Sequence, residues 1–173
     1  MDDSGGIVAE TQRLRLRRLR PGDLDVIAAM VADPEQMRYY PHPRSRDEAR
    51  SWLERNLALY DEHGHGTWYL EALDDGGFAG YCGIRPLELE DRTEMELGWH
   101  VLRTRWNQGL ATEAARAAMQ LGVTGFGLTR LVAIIDPDNA ASHAVAHKLG
   151  MLEERSIVLD GEPYVLYAVT VSP

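Results

Sequence analysis

RWNQGLATEAARAAM, residues 105–119, changes character half-way along. It opens as a loop, turns through Gly109 and continues as an amphipathic helix. Leu110, Ala114, Ala118 and Leu121 recur at helical spacing, with Glu113, Arg116 and Gln120 on the opposite side. Just before it EMELGWHV, residues 94–101, alternates like a strand. Strand, glycine-containing turn and helix in that order leave several backbone N–H groups without intrahelical partners at a positive dipole end. Such an end suits an anion, most often a phosphate. Gly109 lets the backbone approach a ligand closely, and Ala111 leaves the helix start unobstructed.

The chain has 173 residues, enough for one domain with a substantial core, and residues 1–10 read as a loose leader. Its 45% hydrophobic and 26% charged residues are ordinary for a globular protein. No apolar run approaches the roughly 20 residues of a membrane span. MDDSGGIVAE lacks the basic start and apolar stretch of a signal peptide. A single cysteine, Cys82, excludes an internal disulfide framework, so a cytoplasmic location is expected and no membrane partner. The net charge of −9 argues against a nucleic-acid partner. A polyanionic ligand must therefore be held by local features, with Arg103, Arg105 and the helix-start amides as candidates.

Outward from this stretch, the remaining elements follow by periodicity. TQRLRLRRLR, residues 11–20, reads as a strand with one solvated arginine face. A helix starts near Asp23 with Leu24, Ile27, Ala28 and Val31 on one side, and Asp33-Pro34 ends it. Ser45-Arg46-Asp47-Glu48 is a capping box ahead of Trp52, Leu53, Asn56, Leu57 and Tyr60, in a helix that closes around Gly64. Residues 67–73 and 78–87 are strands joined by DDGG. LVAIID, residues 131–136, is a buried strand, a short helix covers 139–149, and a hairpin turns at Asp160-Gly161. The sum is an α/β (α+β) fold of order βααβββαβαββ, a mixed, mostly antiparallel twisted sheet with helices on both faces.

Trp106-Asn107-Gln108-Gly109-Leu110-Ala111 resembles the acetyl-CoA-binding motif of the GNAT superfamily of N-acetyltransferases, Q/R-x-x-G-x-G/A. It matches at Gly109 and Ala111 and departs at the first position, where Trp106 stands and Arg105 precedes it. The opening TQRLRLRRLRPGDLDVIAAMVADPEQMRYY resembles the branch that includes N-terminal acetyltransferases of ribosomal proteins. NAASHAVAHKLGM, residues 139–151, is similar to that branch's Asn-x-x-Ser…Lys-Leu-Gly-Phe pattern, with Met151 in place of Phe. The element order is also the GNAT order.

The resemblance implies transfer of an acetyl group from acetyl-CoA, without a metal, to a primary amine by direct attack in a ternary complex. The amine belongs to a protein N-terminus or a small molecule, and many relatives are homodimers. The amides of Trp106, Asn107, Gln108, Gly109, Leu110, Ala111 and Thr112 would seat the pyrophosphate. His100 and Val101 would offer backbone groups to the pantetheine arm, and Asn139 would bind its amide. A strand N–H near residues 99–101 would receive the negative charge on the thioester carbonyl. Much of the superfamily protonates the leaving thiolate from a tyrosine whose position here is Ala146. Ser142 occupies the position where the ribosomal-protein branch has a serine with this role. Local helix-start bonding is the competing reading of Ser142, and simple capping that of Asn139.

For the amine's proton, Glu96 is the first candidate base, acting through water, and Glu94 and His100 share its strand face. Glu113 reads as structural. His143 and His147 have i, i+4 spacing but no accompanying HExxH glutamate, so they are placed beside the cofactor's phosphates rather than on a metal. Cys82 reads as core. The acidic run Glu88, Glu90, Asp91, Glu94, Glu96 would draw in a cationic acceptor. No Gly-x-x-x-x-Gly-Lys-Ser/Thr or Gly-x-Gly-x-x-Gly supports a nucleotide-binding enzyme. The remaining alternative is a non-catalytic acyl-CoA-binding sensor on the same fold.

Overall fold

The computed structural model describes residues 6–172. Its eight strands form one sheet in the order β1-β2-β3-β4-β5-β6-β8-β7. They are β1 (Ile7–Glu10), β2 (Leu14–Arg18), β3 (Thr67–Ala72), β4 (Phe78–Leu89), β5 (Arg92–Val101), β6 (Arg130–Ile135), β7 (Leu152–Leu159) and β8 (Glu162–Thr170). Four helices accompany them: α1 (Leu24–Ala32), α2 (Arg46–His63), α3 (Leu110–Phe126) and α4 (Ala140–Lys148). All neighbouring strands are antiparallel except β5 and β6, which are parallel and therefore need the α3 crossover.

The alternation of β2 buries Leu14 and Leu16 completely. Its arginines are not simply solvated: Arg15 pairs with Glu10 and Glu71, and Arg17 with Asp23. Residues 7–10, expected within a loose leader, form strand β1 against β2, and Thr11 closes the turn on the carbonyl of Leu14. Four residues are too few to show a period, so this strand is legible only from its partner. The rest of the expected leader, residues 1–5, lies outside the described residues.

β4 and β5 pair without a register break from Gly80↔Val101 to Leu89↔Arg92, so side-chain parity holds along both strands. Tyr81, an odd position on β4, meets Trp52 of α2 with ring centroids 4.7 Å apart. On the even side, a Cβ added at Gly122 of α3 would lie 2.7 Å from Ile84. Helices α2 and α3 thus cover opposite faces, as the apolar patterns require. α1 packs beside α2 and α4 beside α3, where Arg116 donates to the Lys148 carbonyl at 3.0 Å.

The parallel pair β5 and β6 meets at Glu96↔Val132. Beyond that point β5 runs on to Val101 while β6 leads into the loop before α4. The two carboxyl ends diverge with a helix N-terminus beyond each, the position where open α/β sheets place their ligands.

Candidate functional site

Two cavities open at this divergence. The larger, about 370 Å³, lies between residues 99–101, the loop and first turn at 105–112, α4 and residues 36–40. The smaller, about 150 Å³, lies over the α2 face of β4 and β5 and reaches Asp136 and Tyr164. Tyr39, Tyr40, Trp99, His100, Asn139 and Ser142 line both. The cavities therefore meet along these six residues, Ser142 among them.

The larger cleft collects His100, Val101, Trp106, Asn107, Gln108, Gly109, Leu110, Ala111, Thr112 and Asn139. Gly109 sits at the N-cap of α3 with φ +78°, a left-handed conformation that side chains resist, and no side chain caps the helix. Glu113, the acid of the first turn, turns away to the β1–β2 corner instead. It accepts from Thr11 Oγ1 at 2.6 Å, Arg13 N at 2.9 Å and Arg13 Nε at 2.7 Å, and Arg13 also donates to the Gln108 carbonyl at 2.7 Å. Burial pushes the Glu113 carboxyl up, but these bonds outweigh it and hold the group below its ordinary range. Glu113 is thus a structural residue that braces the β1–β2 corner.

Trp106, the departure from the motif, donates its indole N–H to the Val101 carbonyl at 2.9 Å. The Gln36 amide donates to the same oxygen at 3.0 Å. Both lone pairs of that carbonyl are occupied, so the expected contribution of Val101 to a pantetheine arm narrows to its N–H. Arg103 does not line the cleft and pairs with Asp33 at 2.8 Å; Arg105 lines it but is bound by Asp75 at 2.6 Å. Arg103 is therefore outside the cleft, and Arg105 reaches it already ion-paired. Lys148, also on the lining, forms no ion pair among the described residues.

In α4 the Asn139 side chain accepts from Ser142 N at 3.1 Å, so the capping reading of Asn139 is realised. Trp99 Nε1 donates to Ser142 Oγ at 3.3 Å. That bond uses the hydroxyl as acceptor and leaves its hydrogen available to donate. Ala146, the third residue of the expected face, is fully buried and lines neither cavity. His143 and His147 do not flank the cleft: both pack on Tyr167, and His143 is also held by its hydroxyl at 2.8 Å. Cys82 is buried, which pushes its thiol up, as a core residue should.

Glu96 lines the smaller chamber, buried, with Arg85 Nε 2.9 Å from its carboxylate. His100 lines it two pairs further along, its Nδ1 2.8 Å from the Tyr81 hydroxyl and its ring stacked on Tyr40 at 5.4 Å. Burial drives the His100 pKa down to about 4, so the imidazole is neutral at pH 7. Between these two polar pairs lies Gly98, where an added Cβ would meet nothing within 4 Å. Glu94 turns out to be committed, bound by Arg130 at 3.1 Å and Arg92 at 3.0 Å. Glu90 pairs with Arg155 and Glu88 accepts from Thr93. Glu90, Glu94 and Glu96 of the acidic run are thus ion-paired within the fold, which weakens the expected attraction for a cationic acceptor.

Trp99, Gln36, Tyr81 and Arg85 are the site residues that sequence reading overlooks as side chains. For Arg85 a signal exists: the two-residue turn Glu90-Asp91 fixes the β4–β5 register and sets Arg85 opposite Glu96.

Among the described residues no helix is long and apolar enough to cross a membrane. The family model of the GNAT acetyltransferase domain matches residues 13–152. An uncharacterized protein of Bacillus subtilis, YkkB, is 34% identical over 91% of this chain and 92% of its own length. The crystal structure of an acetyltransferase from Agrobacterium tumefaciens superposes with a TM-score of 0.82 at 26% identity, covering 94% of both chains. RimL, a ribosomal L7/L12 α-N-protein acetyltransferase solved with coenzyme A, shares the fold at a TM-score of 0.77 and 19% identity, over 95% of this chain and 98% of its own. The chain belongs to the GNAT family and is an acetyl-CoA-dependent acetyltransferase.

Proposed function

We propose that this enzyme transfers an acetyl group to a primary amine by direct attack, with cofactor cleft and acceptor chamber meeting along residues that include Ser142. That junction is the observation that carries the reading. Acetyl-CoA, when bound, supplies an activated acetyl thioester.

The uncapped start of α3 fits a pyrophosphate: Leu110, Ala111 and Thr112 offer N–H groups at the positive end, and Lys148 adds a positive charge. Trp106 supports this seat by tying the loop to the end of β5. The Val101 N–H lies on the β5 edge that β6 has left, where an extended arm would add as a strand, whereas the His100 backbone is turned to β4 and its side chain lines the cleft. An N–H among residues 99–101 would stabilise the carbonyl oxygen as its charge grows. Asn139 combines its cap with the position assigned to the pantetheine amide.

Ser142 serves as general acid toward the leaving sulfur, because Trp99 occupies its oxygen and leaves its proton to give. Glu96 receives the amine's proton through water. Arg85 neutralises much of the Glu96 charge, so Glu96 receives the proton as a partly compensated base.

The test is Ser142→Ala. Turnover should fall by about 100-fold or more while acetyl-CoA affinity stays within about twofold. Unchanged turnover removes Ser142 from the chemistry. Selective acetyl-CoA binding with no transfer by the wild-type chain to any amine or peptide favours the sensor alternative.

A further inference from the structure

The smaller chamber carries four charged side chains, Arg44, Arg85, Glu96 and Asp136. Arg85 and Glu96 neutralise each other. Arg44 and Asp136 remain, and neither forms an ion pair among the described residues. Arg44 precedes α2 and is half-buried, with the Tyr40 ring 5.9 Å away as its aromatic neighbour. Asp136 ends β6 on the loop that leads into α4, and its carboxylate accepts from the Asp138 backbone N–H at 2.8 Å. One chamber therefore holds an unpaired cation and an unpaired anion, supplied by different loops. Most arginines in this chain are ion-paired, whereas Arg44 has an aromatic neighbour and no anion among the described residues, which leaves its guanidinium donors available to a ligand.

We infer that the acceptor is a small amine that also carries a carboxylate, an amino-acid-like zwitterion. Arg44 binds its carboxylate, and the amine lies toward Asp136, Glu96 and Ser142. This rests on the acetyl-transfer reading above and adds the substrate class. The guanidinium fork matches a carboxylate in two parallel hydrogen bonds. The chamber's size agrees: a cavity of about 150 Å³ accommodates a molecule the size of benzene, not a folded protein surface. A peptide N-terminus offers no carboxylate next to its amine unless the first side chains are acidic. Neutral and acidic N-terminal peptides therefore enter the test as separate arms.

The experiment compares free amino acids with their carboxamides as acceptors, using the full chain and saturating acetyl-CoA. The carboxamide amine loses its proton more readily, so any preference for the acid cannot come from amine reactivity. The acids should be favoured in kcat/KM by about tenfold or more, the worth of a charge-assisted hydrogen bond. Arg44→Gln should bring that ratio near one by raising KM for the acids, with carboxamide turnover little changed, and Arg44→Lys should restore part of it. Equal or better use of carboxamides or neutral peptides by the wild type overturns the inference, as does a preference that survives Arg44→Gln. A preference for acidic N-terminal peptides over free amino acids overturns the small-molecule assignment. Calorimetric titration of the CoA-loaded chain with an amino acid and its carboxamide separates the two layers. Absence of transfer to every amine sinks the acetyl-transfer reading, whereas equal heats for acid and amide sink the carboxylate assignment.

Discussion

Helices α2 and α3 begin in opposite ways. At α2, Ser45 Oγ accepts from Glu48 N at 3.2 Å and the Glu48 carboxylate accepts from Ser45 N at 2.7 Å, so the helix end is satisfied by its own residues. At α3, Gly109 supplies no cap, and Glu113 is spent on Thr11 and Arg13. The sequence contains an acid in the first turn of both. In α2 it folds back to stabilise the helix; in α3 it braces a distant strand corner and leaves the positive end exposed to a cleft. One helix start is closed by its own side chains, and the other is left open to the cleft.

Closing α3 in the manner of α2 should have the largest effect. Gly109→Asp places a carboxylate where the pyrophosphate would sit and also strains a left-handed position. Acetyl-CoA affinity, read by calorimetry, should fall by about 100-fold or more, because charge repulsion replaces charge-assisted bonds. Next comes Glu113→Ala, which frees the loop without filling the anion seat. It should weaken acetyl-CoA by about tenfold and lower unfolding stability by about 1–2 kcal/mol, the scale of lost charged hydrogen bonds. Opening α2 instead, by Ser45→Ala, should cost about 1 kcal/mol in denaturant unfolding and leave acetyl-CoA affinity unchanged. An affinity loss there would erase the distinction between the two ends.

The smallest effect concerns pH. The Ser45 backbone N–H, His42 and the Ser45 side chain lower the Glu48 carboxyl from 4.5 to about 2. A depressed carboxyl contributes stability above its unfolded pKa and loses it as pH falls through the folded one. The thermal stability lost in Glu48→Gln should thus be full at neutral pH, shrink below about pH 4.5 and vanish near pH 2. The acid of α3 should respond differently, since Glu113→Gln also slackens the cofactor loop.

Much of the frame is legible in the sequence because it rests on local rules. The capping box at Ser45, the alternation that buries Leu14 and Leu16, and the glycine before Leu110 each specify a few neighbouring residues. Strand β1 escapes that logic, since IVAE has no meaning until β2 lies beside it. In the site, positions are more legible than partners. Ser142 and Glu96 both line the smaller cavity, yet Trp99 on the Ser142 hydroxyl and Gln36 on the Val101 carbonyl are contacts across 43 and 65 residues. Charge was the most misleading guide. Arg103, Arg105, Glu90 and Glu94 look available as sequence and are ion-paired in the fold, while Arg44, unremarked in the sequence, is unpaired in the chamber. Ion pairing is decided by tertiary proximity, which neither composition nor periodicity encodes.

The most direct test is amide NMR of the full chain as acetyl-CoA is added. The largest perturbations are expected at the N–H groups of Leu110, Ala111 and Thr112, with Arg46, Asp47 and Glu48 at the start of α2 unmoved. Binding that leaves the α3 amides in place, or that moves those of α2 equally, would contradict the assignment of the open helix end as the anion seat.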